Sequence, residues 1–111
     1  MAGKGETYAR SDGKFAFRLK AGNGETVATD GGQGYEARSD ATSTLTKLMK
    51  GTYDVHEVFE RSGGTYAFRI KASNGQVVAT DGGEGYATAD NADITAKKIN
   101  AGEYDGPITE L

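Results

Sequence analysis

Several residue types that build common functional sites are scarce or absent in this 111-residue sequence. There is no cysteine, which excludes disulfide scaffolds, thiolate zinc sites and cysteine nucleophiles. The single histidine, His56, argues against a histidine-rich metal site and against a Ser-His-Asp triad. No pair of carboxylates is placed for acid–base chemistry in an obvious pocket. We therefore expect no enzyme activity, no metal and no cofactor.

Long apolar runs are also missing. No segment approaches the roughly 18 apolar residues that a membrane helix needs. The first ten residues, MAGKGETYAR, contain no apolar core of the kind found in secretory signals. We therefore expect a cytoplasmic protein without membrane contact. The 13 basic and 16 acidic residues are well mixed, which argues against a general binder of nucleic acid.

The most informative feature that is present is an internal repeat. Shifting the sequence by 51 residues aligns 8–55 with 59–106, and 24 of these 48 ungapped positions are identical. Two copies are too few for a solenoid, which usually needs at least three. We interpret residues 1–55 as a first repeat and 56–111 as a second repeat, together forming one pseudo-two-fold domain.

Each repeat predicts three strands, a helix and an extended tail. Asn23-Gly24 and Asn74-Gly75 indicate hairpins with type I′ turns, in which both central residues have positive φ. The expected strands and tails, in chain order, are 7–10, 14–21, 25–29, 52–55, 58–61, 65–72, 76–80 and 104–109.

The two helices are predicted from caps and apolar spacing. Ser39 or Asp40 is the expected N-cap of the first helix, and Asp90 or Asn91 that of the second. Gly51 and Gly102 stand where a left-handed C-terminal residue belongs. Apolar residues at helical spacing predict the buried faces; these are Ala41, Leu45, Leu48 and Met49, and then Ala92, Ala96 and Ile99.

The middle strand of each repeat alternates between apolar and basic residues. We expect the aromatic side to pack under the helices and the basic side to form an open face. The expected core side carries Phe15, Phe17, Leu19 and Ala21, and then Tyr66, Phe68, Ile70 and Ala72. The expected open face carries the candidate binding residues Arg18, Lys20, Arg69 and Lys71 beside the small Ala16, Ala28, Ala67 and Ala79.

This open basic face allows two interpretations. It is either a docking surface for an acidic protein segment or a solvated face with cross-strand ion pairs, each worth less than about 1 kcal/mol. A sheet that reads nucleic acid also needs exposed aromatic residues for stacking, and here the aromatic residues alternate toward the core. We therefore expect a protein-interaction module with a protein partner. The alternatives are a structural component of a larger assembly or a weak binder of nucleic acid.

Other candidate sites have plain structural explanations. The glycine-rich links Asp30–Tyr35 and Asp81–Tyr86 resemble a phosphate-binding loop, but hairpins make an antiparallel sheet that does not suit a dinucleotide fold. Asp30 and Asp81 are expected to be hydrogen-bond acceptors in turns. Tyr35 and Tyr86 are expected to anchor the helices, with the hydroxyl in water. His56 is expected to lie in a linker or strand.

Both repeats contain the pattern FxFRLKAxNGxxxAT, or a close variant of it, followed by Gly-Tyr and a helix. In this pattern the chain closely resembles the YegP-like family of small bacterial and archaeal proteins, and the resemblance covers about 90% of the chain. In the first repeat it comprises Phe15, Phe17, Arg18, Leu19, Lys20, Ala21, Asn23, Gly24, Val27, Ala28, Thr29, Gly34, Tyr35 and Ala41. In the second it comprises Tyr66, Phe68, Arg69, Ile70, Lys71, Ala72, Asn74, Gly75, Val78, Ala79, Thr80, Gly85, Tyr86 and Ala92.

The resemblance implies an α+β fold made of a tandem pair of β3-α-β units. In that fold the two units form one antiparallel sheet, exchange their C-terminal strands and carry both helices on one face. It also implies a monomer, because the tandem supplies both halves. Two features depart from the family pattern, namely the longer glycine-rich links and the small Ala96 in place of isoleucine. The resemblance implies no catalytic residue, substrate or cofactor.

Overall fold

The computed structural model describes residues 3–30, 34–53, 55–81 and 85–111. Within these described ranges, seven strands and two helices follow one another in the order β-β-β-α-β-β-β-α-β. Their bounds are β1 Gly3–Ala9, β2 Phe15–Ala21, β3 Thr26–Asp30, α1 Arg38–Met49, β4 Val55–Glu60, β5 Tyr66–Lys71, β6 Val77–Asp81, α2 Ala89–Asn100 and β7 Ile108–Glu110.

All seven strands form one sheet, in the order β4-β5-β6-β3-β2-β1-β7. The two repeats meet at its centre, where β3 and β6 run antiparallel. The expectation of a wholly antiparallel sheet is wrong at one edge, because β7 lies parallel to β1. The sheet is therefore mixed, and the fold is α+β.

The expected exchange of C-terminal strands is found on one side. The tail of the second repeat supplies β7, which pairs with the first repeat's β1. In the first repeat, Thr52 and Tyr53 are not in a strand, and Val55 already begins β4. The tail predicted at 52–55 therefore leads directly into the next strand, and its residue Asp54 lies outside the described residues.

The hairpin turns differ from the predicted type. Gly24 has φ +88° and Gly75 has φ +86°, but no described residue other than glycine has positive φ, so Asn23 and Asn74 do not. The backbone N–H of Ala21 donates to the carbonyl of Glu25, which makes a three-residue loop. The Asn23 side chain accepts a hydrogen bond from the Glu25 N–H at 3.0 Å and holds this turn.

A bulge follows each hairpin and changes which residues face the helices. Lys20 pairs with Thr26, but the next pair is Leu19 with Ala28, so one residue of β3 is unmatched. The slip puts Ala28 on the same face as Leu19 and puts Thr29 beside Arg18. The same slip between Ile70 and Lys71 puts Ala79 inside. The placement of Ala28 and Ala79 on the open face is therefore wrong, and both are fully buried.

Both helices begin before the predicted caps. The N-cap residues are Ala37 and Thr88, because the strand-to-helix link ends sooner than the serine and acidic residues suggest. The C-terminal prediction is confirmed, since Gly51 and Gly102 have φ +76° and +77°. The predicted helix faces are buried, and they pack on Phe17, Leu19, Phe68 and Ile70 of the sheet. None of the described helices has the length and apolar character to cross a bilayer.

The two repeats fill the space between sheet and helix differently. A Cβ on Gly5 would lie 2.8 Å from Leu45 Cδ2 and 2.9 Å from Met49 Sδ, so only glycine leaves room for them. The equivalent residue 51 positions later is His56, and the helix opposite carries Ala96 and Asn100 instead. In the first repeat the large side chains therefore lie on the helix, and in the second repeat the large side chain lies on the strand.

Candidate functional site

A row of polar side chains crosses the face of the sheet opposite the helices. Arg18 pairs with Thr29, Thr29 with Thr80, and Thr80 with Arg69. Glutamates on β1 and β4 extend the row at both ends. We call this set the polar row; it consists of Glu6, Arg18, Thr29, Thr80, Arg69 and Glu57.

The centre of the polar row is a pair of hydroxyl groups. The Oγ1 atoms of Thr29 and Thr80 lie 3.3 Å apart across the junction between β3 and β6. Three inter-strand spacings separate β2 from β5, so the backbones of Arg18 and Arg69 are about 14 Å apart. The polar row is therefore pseudo-symmetric, with an arginine on each side of two threonines.

Each glutamate of the polar row binds two cations. Glu6 Oε1 lies 2.5 Å from Arg18 Nε and 3.4 Å from Lys20 Nζ. In the second repeat, Glu57 Oε2 lies 3.0 Å from Lys71 Nζ, and its Oε1 lies 3.1 Å from Arg69 Nη1. Because Lys20 and Lys71 lie next to the polar row and share its glutamates, each carboxylate faces two cations, and each end of this face has an excess positive charge.

The cations change the acidity of both glutamates. The hydrogen bond from Arg18 is the largest cause that lowers the pKa of Glu6, and Lys20 lowers it further. The hydrogen bonds from Lys71 and then Arg69 lower the pKa of Glu57. Both carboxylates therefore remain ionised to lower pH than a free glutamate, and the ion pairs persist near neutrality.

Sequence reasoning missed two aromatic residues on this face. The guanidinium carbon of Arg18 lies 4.8 Å from the ring centre of Tyr8, and that of Arg69 lies 4.1 Å from the ring centre of Phe59. These contacts are cation–π interactions, and they hold the arginines flat against the sheet. Period-two alternation along β1 and β4 could have found both rings, because each lies two residues after a glutamate of the polar row.

The structure brings the four predicted cations together as two clusters. Arg18 and Lys20 lie on β2, and Arg69 and Lys71 lie on β5, with their side chains between 25% and 41% exposed. The predicted alternation of the middle strands is confirmed, since Phe17 and Phe68, which directly precede the two arginines, are fully buried. The cations are partly paired, so both the docking and the ion-pair interpretations have a physical basis.

The tyrosines after the glycine-rich links pack between sheet and helix. Tyr35 forms a bridge with Phe15, and its ring centre lies 6.0 Å from that of Phe17. Tyr86 forms the same bridge with Tyr66 and lies 6.0 Å from Phe68. Burial raises the pKa of both Tyr35 and Tyr86.

The glycine-rich links themselves fall largely outside the described residues, which omit 31–33 and 82–84. Asp30 and Asp81 are nevertheless placed, and each accepts a hydrogen bond at 3.3 Å from a backbone N–H four residues later. This geometry agrees with the expected role as turn acceptors. It does not bear on the phosphate-loop interpretation, whose central residues are not described.

His56 lies in β4 and faces α2. Its Nε2 is 2.7 Å from Asp93 Oδ1, and its Nδ1 is 3.4 Å from Asn100 Nδ2. Within 3–30, 34–53, 55–81 and 85–111, no three histidine, cysteine, aspartate or glutamate side chains gather in a way that could hold a metal ion. His56 therefore acts in this structure as a link between strand and helix.

Comparison with known proteins identifies the family. The family model described as a domain of unknown function, DUF1508, matches the chain twice, at residues 11–50 and 62–94. The UPF0339 protein YegP of Escherichia coli O6:H1 is 33% identical over 104 residues, which cover 90% of this chain and 91% of that protein. A UPF0339 protein of Treponema denticola is 44% identical over 54 residues, covering 49% of this chain and 90% of its own length.

The fold is shared with a solved relative. The solution NMR structure of yegP from E. coli, described as a protein of unknown function, superposes with a TM-score of 0.78 at 28% identity. The match covers 99% of this chain and 93% of that one. Together with the doubled family match, this shows that the chain belongs to the DUF1508 (UPF0339, YegP) family.

Proposed function

We propose that this protein is a non-catalytic, cytoplasmic interaction module that binds an extended acidic segment of a partner protein along the polar row. The observation that carries the proposal is the excess of cations over carboxylates on the face opposite the helices. Arg18 and Lys20 share Glu6, and Arg69 and Lys71 share Glu57. A partner carboxylate beside each cluster would complete the charge balance.

The spacing of the arginines suggests the form of the partner. An extended peptide rises about 3.3 Å per residue, so residues four apart are about 13 Å apart and point to the same side. That distance is close to the separation of Arg18 and Arg69 across the sheet. Thr29 and Thr80 lie between the arginines and offer hydroxyl groups to the peptide backbone. A partner segment that carries one acidic residue at position i and another at position i+4 therefore fits the two arginines best.

A second candidate function, a component of a larger assembly, is supported by a different observation. β4 forms an edge of the sheet, whereas its equivalent in the first repeat, β1, is covered by β7. An edge strand can pair with a strand from another chain. Self-association that depends on protein concentration would favour this candidate, and a monomer at all concentrations would favour the interaction module.

We also propose that the chain arose by tandem duplication and is a monomer. The 24 identities at a shift of 51 support duplication. The Treponema denticola relative supports it too, because it matches half of this chain over most of its own length. Because the chain contains both halves of the sheet, it completes the sheet without a second copy of itself.

The test is a titration with two synthetic peptides of equal composition, one with glutamates four residues apart and one with adjacent glutamates. Arginine side-chain NMR signals report contact with the polar row. We expect both arginines to respond and the spaced peptide to bind at least about threefold more tightly. Absence of any response from Arg18 and Arg69 would contradict the proposal. Tighter binding of a single-stranded oligonucleotide than of either peptide would replace the protein partner with nucleic acid.

A further inference from the structure

The two repeats differ at one pair of equivalent positions on the outer face of the sheet. Alternation along β1 puts Lys4 on this face two residues before Glu6, and Lys4 lies opposite Lys20 on β2. The equivalent residue 51 positions later on β4 is Val55, which lies opposite Lys71 on β5. The pseudo-symmetry of the polar row is therefore broken beside it.

This difference makes the β1 end of the outer face more positive than the β4 end. Within the described residues, the β1 end carries Lys4 together with Arg18 and Lys20 around the carboxylate of Glu6. The β4 end carries two cations, on β5, around the carboxylate of Glu57. An additional acidic residue of a partner therefore gains more from binding at the β1 end.

The β4 end offers apolar surface where the β1 end offers charge. Val55 is 43% exposed, and of the three large apolar side chains that are exposed among the described residues it is the only one within a strand. Phe59 follows Glu57 on the same face, at the position where β1 has Tyr8. The β4 end therefore favours an apolar residue of a partner, whose contact with Val55 removes apolar surface from water.

The distance between the two ends fits one extended segment. Five antiparallel pairings separate β1 from β4, so these strands run in opposite directions, and Lys4 and Val55 lie on opposite sides of the polar row. Five inter-strand spacings and an offset of two residues along each strand place their backbones about 27 Å apart. Residues eight apart in an extended segment are separated by about 26 Å and point to the same side.

We propose that the acidic segment of the partner binds in a fixed orientation across the strands, with an additional acidic residue at Lys4 and an apolar residue at Val55. This inference rests on the proposed function and specifies its partner more closely. If the acidic residues i and i+4 meet Arg18 and Arg69, the additional acidic residue is i−2 and the apolar residue is i+6, counted from either end of the segment. The partner is thus acidic at one end and apolar at the other.

The test uses a synthetic peptide of this pattern, with leucine as its apolar residue and a nitroxide spin label at one end, which broadens the NMR signals of nearby amides. With the label beside the leucine, we expect the signals of β4 to broaden more than those of β1. The control is the same peptide labelled at its acidic end, for which we expect the reverse. Equal broadening of β1 and β4 by both peptides would overturn the fixed orientation.

Exchanging the two side chains gives a matched variant, because both positions are exposed and lie in strands. Lys4→Val combined with Val55→Lys should reverse the pattern of broadening, and an unchanged pattern would overturn the proposal. In the wild-type protein, serine in place of the peptide leucine should weaken binding by about threefold, and equal affinity would likewise overturn it.

The arginine side-chain signals separate this inference from the proposed function. If Arg18 and Arg69 respond to the peptide but no orientation is preferred, the polar row remains the binding site and only the inference fails. If neither arginine responds, the proposed function fails and the inference fails with it. Self-association of the protein through this face that the peptide displaces would make a second copy the occupant and would also overturn the proposal.

Discussion

At the scale of single residues, the two repeats have exchanged the positions of large and small side chains. Gly5 faces Leu45 and Met49, whereas His56 faces Asn100 near the small Ala96. Each arrangement fills the same layer between strand and helix. The small Ala96 is thus matched by a larger residue, His56, on the neighbouring strand.

This exchange predicts a coupled pair of substitutions. Gly5→His alone should lower the free energy of unfolding by about 1–3 kcal/mol, because the ring overlaps Leu45 and Met49. Adding Leu45→Ala should recover part of that loss and give a coupling energy of about 0.5–3 kcal/mol in a double-mutant cycle. Denaturant unfolding of the four proteins measures it. Strictly additive effects would show that the two positions do not share this space.

A second residue-scale prediction concerns acid stability. The hydrogen bond from His56, followed by that from Lys97, lowers the pKa of Asp93 from its ordinary value of 3.8. A lowered folded-state pKa means that the ionised carboxylate stabilises the fold above pH 3.8, and that this contribution is lost as the pH falls through the folded value. Asp93→Asn should therefore melt at a lower temperature than the wild type at about pH 5, and the difference should shrink toward about pH 2. A difference that is the same at both pH values would contradict this.

At the scale of elements, the two helices differ in how they begin. The Thr88 hydroxyl accepts a hydrogen bond from the Asn91 N–H at 3.2 Å, whereas Ala37 at the start of α1 offers no side-chain cap. Thr88→Ala should cost about 1 kcal/mol, and Ala37→Thr should stabilise by a similar or smaller amount. Thermal unfolding of both variants checks this. The two substitutions should therefore change the stability in opposite directions, and a loss of stability in Ala37→Thr would contradict the assignment.

The elements also show how far the sequence alone could predict the fold. Turn residues and period-two alternation predict β2 and β5 correctly, because buried aromatic residues strongly determine the register. The bulge between Leu19 and Lys20 has no clear local signal, since it depends on how the three-residue loop joins two pleated strands. That bulge carries Thr29 onto the open face and Ala28 into the core. The family resemblance implied that the tail of the second repeat joins the first repeat's sheet, but it implied an antiparallel sheet. The parallel direction of β7 beside β1 has no signal in the local sequence, because the two segments lie about 100 residues apart.

At the scale of the whole molecule, the helices leave one face of the sheet to solvent. The core lies between the helices and the inner face, and the polar row crosses the outer face over six of the seven strands. The four cations of the candidate site could be predicted from alternation within each repeat. Their connection through Thr29 and Thr80 could not, because it requires the pairing of β3 with β6 across the two repeats.

The most direct measurement compares two double variants for binding of the peptide with glutamates four residues apart. Arg18→Gln with Arg69→Gln removes two charges from the polar row, and Lys47→Gln with Lys98→Gln removes two charges from equivalent positions on the helices. We predict that the arginine variant loses at least about tenfold in affinity, while its unfolding free energy falls by no more than about 1 kcal/mol per site. The lysine variant should bind like the wild type. Equal losses in both variants would mean that net charge alone attracts the peptide and would contradict a site on the polar row.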